Sequence, residues 1–222
     1  MNVQWYGQST FHLTAPEASV AIDPFADMSG AATRGIQFDY PPIEGVEPTL
    51  LLVTHEHPDH NGVEAIDGDP AVLRSTAGRL ESPVGEVIAI ASEHDAEAGT
   101  SRGPNSIFVF ELEGLRVAHF GDFGQSELRA EQAALLDDLD LLFIPVGGSA
   151  TIDADQATEI VNQLRPRWVV PMHYRTARTN FLDTADAFLA HFERVERLSA
   201  PAFDTAALPA GEGPLVVVPA AP

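Results

Sequence analysis

Thr54-His55-Glu56-His57-Pro58-Asp59-His60-Asn61-Gly62 decides how this chain is read. Four side chains able to hold a metal, His55, His57, Asp59 and His60, follow the pattern H-x-H-x-D-H. The preceding Leu50-Leu51-Leu52-Val53 is an apolar run of strand length. It predicts a buried strand that delivers the cluster onto a loop at a sheet edge. His55 and His57 are two residues apart, so in an extended chain both point to the same side. Pro58 bends the chain, and Asp59 and His60 can then offer a second cluster. Imidazoles and carboxylates are the usual ligands of zinc and of harder metals such as manganese or iron. The chain has only 8 histidines in 222 residues, so three at positions 55, 57 and 60 are hard to assign to an ordinary polar loop.

Composition bounds the rest. A chain of 222 residues that is 45% apolar is long enough for a real core. No linker or charge block divides it, which predicts one domain over residues 1–222. The N-terminal stretch has no basic region followed by an apolar core, and no run approaches the ~20 residues of a membrane span. The expectation is a soluble cytoplasmic protein with no membrane partner. There is no Cys, which excludes disulfides and thiolate ligands. The net charge is -21, from 33 acidic against 12 basic residues. Such a surface repels phosphate backbones, which disfavours nucleic acid and favours a small-molecule substrate. Self-association into a homo-oligomer is compatible with all of this.

Apolar patterning predicts strands at 3–6, 9–13, 19–24, 50–54, 71–73, 87–90, 106–111, 115–120, 141–144, 168–170 and 215–218. It predicts a short helix from Gly62 and helices over 129–136, 153–164 and 184–198. Asp153 and Gln156 stand at capping-box spacing at the start of the third. The fourth carries Ala187, Phe188, Phe192 and Val195 on one face. Residues 26–48 are rich in Gly, Pro and small side chains. They read as a long loop, a candidate lid or substrate-contacting segment. Strand-rich segments near both ends suggest two packed sheets with helices outside.

Three further ligand candidates, His94, Asp122 and His173, each lie just past a predicted strand, where side chains can converge on one sheet edge. His119 also stands near Asp122. In a regular strand the two point to opposite sides, so His119 reads as structural. His12 and His191 have no ligand company.

These pieces resemble the metallo-β-lactamase superfamily nearly end to end. The resemblance is carried by Ala21-Ile22-Asp23-Pro24-Phe25, the stretch 54–62, Glu93-His94-Asp95, His119-Phe120-Gly121-Asp122, Pro145-Val146-Gly147-Gly148 and Val170-Pro171-Met172-His173-Tyr174. Arg102-Gly103-Pro104-Asn105 and the Pro-Val-Gly-Gly run are similar to one branch, the compact metal-dependent hydrolases related to ascorbate-6-phosphate lactonase. The resemblance implies an α+β fold, a four-layer αβ/βα sandwich of two mixed β-sheets with helices outside. It implies a binuclear site between the sheets. His55, His57 and His94 would hold one cation, and Asp59, His60 and His173 the other. Asp122 would bridge both, and Asp23 would stand behind the ligands and orient the metal loop. The cofactors would be two divalent ions, zinc ahead of manganese or iron.

The chemistry that fits is hydrolysis of a small ester, lactone or phosphodiester, as in a lactonase or phosphodiesterase. Two cations ~3.5–4 Å apart can bridge a hydroxide and polarise the scissile oxygen. Asp59 and Asp122 are the expected catalytic carboxylates, with Asp59 either a ligand or a general base. Asn105, Gly147, Gly148, Tyr174 and Arg175 are candidates for binding substrate oxygens. A nuclease on the same scaffold is the first alternative. A non-hydrolytic metal-binding protein or iron oxidoreductase is the second.

Overall fold

A computed structural model describes residues 1–149 and 151–222. The first sheet contains β1 (Asn2–Gly7), β2 (Thr10–Thr14), β3 (Ser19–Ile22), β4 (Leu50–Val53), β5 (Ala71–Arg74) and, from late in the chain, β13 (Ala202–Asp204). Its order is β13-β1-β2-β3-β4-β5. The second contains β6 (Gly78–Ser82), β7 (Gly85–Glu93), β8 (Pro104–Leu112), β9 (Leu115–His119), β10 (Leu141–Pro145), β11 (Trp168–Met172), β12 (Val195–Arg197) and β14 (Leu215–Val218). Its order is β12-β14-β11-β10-β9-β8-β7-β6. Helices are sparse among the described residues: α1 (Ala130–Ala133), α2 (Ala154–Leu164) and α3 (Asp186–Leu189). None is long and apolar enough to cross a membrane.

Strand direction explains where the functional side chains can meet. β3, β4 and β5 run parallel, as do β9, β10 and β11. β7 and β9 each pair antiparallel with β8, so they share one direction. The loops that follow β3, β4, β7, β9, β10 and β11 therefore leave from C-terminal strand ends. Between the sheets lies the main core. Phe11 of β2 and Phe143 of β10 meet across it with ring centroids 4.3 Å apart.

β4 shows why its sequence carries no alternation. All four residues are buried. Leu50 and Leu52 face the inter-sheet core. Leu51 and Val53 face outward, under Phe25, Tyr40, Ile43 and Val46. A strand buried on both faces reads as a continuous apolar run. The loop 26–48, expected as a loop from its composition, thus supplies the outer layer of the first sheet. It is also fastened laterally. Phe38 bridges Thr179, Asp39 N–H donates to Arg178 O at 2.8 Å, and the Tyr40 and Thr176 hydroxyls are 3.0 Å apart.

α2 begins as expected, with Asp153 and Gln156 forming a capping box, and buries Ala157, Ile160 and Val161. The expected helix over 184–198 is corrected to the single turn α3 followed by the strand β12. Val195 pairs with Val216 of β14, and Phe192 folds back onto Phe188 with ring centroids 4.9 Å apart. An open strand edge offers β-branched Val195 a ladder that outweighs helical spacing. The helix over 129–136 shortens to α1. β6 and β13, both short and carrying few apolar residues, have no periodic signal.

Burial on both faces of β4 gives a test. Leu51→Ala and Leu52→Ala should each lower unfolding free energy by about 2–5 kcal/mol in urea denaturation. A near-neutral Leu51→Ala would show that the 26–48 layer does not seal the outer face.

Candidate metal centre

The chain leaves β4 at Thr54 and folds into a tight turn. His60 and Asn61 N–H groups both donate to His57 O, at 2.9 and 3.1 Å. The turn is docked on the neighbouring loop by Ala26 N–H to Pro58 O at 2.8 Å and Gly62 N–H to Pro24 O at 2.7 Å. Glu56, between the two leading histidines, points away. Its carboxylate accepts from Arg74 Nε at 2.9 Å and Ser75 Oγ at 2.6 Å, which ties the motif to the end of β5.

Seven side chains converge in two groups. His55, His57 and His94 form one; Asp59, His60, Asp122 and His173 form the other. Within each group the ligand-type atoms lie within 4.8 Å of one another. Asp122 stands between the groups. Its Oδ2 is 3.1 Å from His94 Nε2, 3.2 Å from His173 Nε2 and 3.9 Å from His55 Nε2. Its Oδ1 is 3.1 Å from His60 Nε2. His55 Nε2 and His57 Nδ1 are 3.1 Å apart. Of the seven, only His57 and Asp59 are more than marginally exposed, so they mark the mouth of the site.

Electrostatics follow from this crowding. Burial pushes the pKa values of His55 and His57 down, and the other imidazoles push the same way. Burial also opposes charge on His60, but Asp122, Asp59 and Asp23 outweigh it and hold that imidazole well above its ordinary value. Burial alone would raise the Asp122 carboxyl, but His173 and His60 bring it well below the usual range. Asp122 is thus a fixed buried anion, and it can stay one only because positive charge surrounds it.

A layer of hydrogen bonds holds the loops in place. Asp23 Oδ1 accepts from Thr54 N–H at 2.7 Å, and its Oδ2 accepts from Thr54 Oγ1 at 2.7 Å. The same Oδ2 is 2.9 Å from His60 Nδ1. That contact places the Nδ1 proton against Asp23 and turns Nε2 toward Asp122. His119 is spent elsewhere: Nε2 donates to Ser9 O at 2.9 Å, and Nδ1 accepts from Gly121 N–H at 3.1 Å. It ties the two sheets together beneath the site. Gly121, at φ 55°, leads into Asp122. A Cβ there would sit 2.4 Å from Asn105 Oδ1 and 2.6 Å from Thr54 Oγ1, so only glycine lets these loops approach.

Four of the expected substrate contacts have other neighbours in the structure. Asn105 is buried: its Nδ2 donates to Ser92 Oγ and Phe120 O at 2.8 Å each, and its Oδ1 accepts from Asp122 N–H at 3.1 Å. It shapes the Asp122 loop from below. Gly148 N–H donates to Ile152 O at 3.2 Å and has no hydrogen left for an oxyanion. Tyr174 packs on Trp5 with ring centroids 5.7 Å apart, and burial pushes its hydroxyl up. Arg175 lines a separate cavity of about 460 Å³ with Asp153, Asp155 and Asp183. Gly147 allows close approach to His173, whose carbonyl oxygen would lie 2.2 Å from a Cβ there. Sequence reading passed over Thr54, whose only signal was a hydroxyl beside the first histidine. It also passed over Gln8, in the turn after Gly7, and Phe181, whose ring lies 6.4 Å from that of His173.

The residues present fit a pair of cations. The first group offers three imidazoles and the second two imidazoles and two carboxylates, donors that suit zinc, manganese and iron. His60 Nε2 and Asp122 Oδ1 are buried and lack a hydrogen-bond partner among the described residues, although they face each other. Buried polar atoms are rarely left so without an ion or water to satisfy them.

Asn105→Ala should leave the Asp122 N–H and Phe120 C=O unsatisfied. We expect a loss of about 1–3 kcal/mol per buried group in denaturant unfolding. Unchanged stability would return Asn105 to the surface of the site.

Comparison with known proteins agrees with the fold. A family model described as a β-lactamase superfamily domain matches residues 2–173. A UPF0173 protein of Pyrococcus abyssi is 32% identical over 199 residues, covering 79% of this chain and 84% of its own. A UPF0173 metal-dependent hydrolase of Pyrobaculum calidifontis is 29% identical, covering 89% and 94%. Among solved structures, a protein of Thermotoga maritima assigned to the Zn-dependent hydrolases of the metallo-β-lactamase superfamily superposes with a TM-score of 0.77. It is 26% identical, with 99% of each chain covered. The chain therefore belongs to the β-lactamase superfamily, in its UPF0173 group.

Proposed function

We propose that this protein is a hydrolase dependent on two divalent cations, zinc ahead of manganese or iron, acting on a small ester, lactone or phosphodiester. The observation that carries this reading is the pair of donor groups sharing one buried carboxylate, Asp122. His55, His57 and His94 would hold one cation, and Asp59, His60 and His173 the other, with Asp122 common to both. Bound there, the cations would supply a water acidified to near neutral pH and a Lewis acid for the scissile oxygen.

The chain's own groups divide the remaining work. Asp122, whose carboxyl His173 and His60 hold well below the usual range, would stand as an anion between the two groups. Asp59 is the more exposed carboxylate, and its Oδ1 accepts no hydrogen bond from the described residues. In a site holding one cation it would instead be free to act as general base or proton acceptor. Phe181, beside His173, gives the substrate an apolar contact. A surface bearing a net charge of -21 weakens binding of long polyanions and leaves small substrates favoured.

The test is to quantify bound metal in purified protein, then assay lactones, phosphodiesters, thioesters and RNA with and without chelator. We expect about two equivalents and a hydrolytic activity on one small-molecule class that chelation abolishes and zinc, manganese or iron restores. His57→Ala and Asp59→Ala should each lose metal and turnover. His119→Ala should keep its metal equivalents while losing about 1–3 kcal/mol of stability. Chelator-insensitive turnover, or full metal content in both ligand variants, would refute the reading; salt-sensitive cleavage of RNA alone would replace it with a nuclease.

A further inference from the structure

Asp59 differs from the rest of its group. The side chains of His60, Asp122 and His173 are almost wholly buried, whereas that of Asp59 is 17% exposed. A partly exposed aspartate on a turn has several rotamers open to it. Its contact with His60 Nε2, at 3.6 Å, is too long to be a hydrogen bond. Among the described residues one group fixes it: Gln8 Nε2 donates to Asp59 Oδ2 at 3.1 Å. That is the same oxygen that faces His60.

Gln8 is itself held hard. Its side chain is fully buried, 51 residues away from Asp59 in sequence. Its backbone adopts φ 51°, a left-handed conformation that a non-glycine residue keeps only when its surroundings enforce it. Its carbonyl oxygen accepts from Trp5 Nε1 at 3.1 Å and from His173 N–H at 3.3 Å. One residue of the β1–β2 turn thus touches two members of the second group, Asp59 through its amide and His173 through its backbone. The contacts described for Gln8 include none with His55, His57 or His94.

We propose that Gln8 is the positioning residue for the second cation, holding Asp59 Oδ2 in register with His60 and His173. This rests on the two-cation reading above. Gln8 touches no substrate; it acts through Asp59. The amide N–H fixes the oxygen that faces His60 and leaves Oδ1 without a hydrogen bond among the described residues.

The test uses the full chain and Zn²⁺ in competition titrations with a chromophoric chelator. The variants are Gln8→Met, Asp59→Ala and the double variant. Methionine keeps the length of glutamine and removes the donor, and thermal unfolding checks that each variant is folded. Loss of a partner behind a metal ligand typically lowers affinity by about 10–100-fold. We expect Gln8→Met to weaken the second Zn²⁺ by about that factor and to leave the first within about threefold. The double variant should bind Zn²⁺ as Asp59→Ala does, because a residue acting through Asp59 has nothing left to position. A general loosening of the fold would instead weaken both ions, and its effect would multiply with that of Asp59→Ala. Either result overturns the assignment, as does an unchanged second affinity. If the unaltered protein takes up fewer than two Zn²⁺, the two-cation reading fails first and this proposal falls with it. Should Gln8→Met not fold, Gln8→Glu replaces the donor with an acceptor of the same shape and must meet the same double-variant criterion.

Discussion

A buried anion surrounded by imidazoles is the constraint around which this molecule is organised. Asp122 is all but removed from water, and three histidine nitrogens lie 3.1–3.2 Å from its two oxygens. Such a carboxylate is costly to bury unless positive charge is held against it. Protons on histidine meet that need in the free chain, as the raised His60 shows. A cation in each group would meet it with the same geometry and release the protons. The seven side chains come from the loops after four strands in two sheets, so the whole edge of the sandwich must be rigid. Asp23, Thr54, His119 and Asn105 supply that rigidity from beneath, each with a hydrogen bond to a neighbouring loop.

Much of this was legible in the residues. The H-x-H-x-D-H stretch after an apolar run is a local signal, and local signals survive folding. So do strand ends: His94, Asp122 and His173 could be placed at one edge because each follows an apolar run. The fold class was likewise readable, through the resemblance that these motifs carry. His119 could be set apart from Asp122 by strand alternation alone, and the structure places it on Ser9 O.

The rest was hidden for a physical reason. Whether a polar side chain faces the site or the core depends on partners distant in sequence. Asn105 is chemically suited to bind a substrate oxygen, but Ser92, Phe120 and Asp122 use its whole amide. Tyr174 is claimed by Trp5 in the same way. Gln8 carried no signal beyond a nearby glycine, since its value lies in reaching Asp59 across the fold. The 184–198 segment has apolar spacing that suits a helix, yet the open edge of β14 takes its end as a strand.

The outer layer over the first sheet has a consequence of its own. Its aromatic and aliphatic side chains wall a cavity of about 540 Å³, lined by Phe25, Phe38, Tyr40 and Glu64 among others. That wall is laced to residues 176–179, a few positions past His173. The two loops are therefore tied to each other. None of the metal-type side chains lines this cavity, so its wall can change in length or polarity while leaving them untouched.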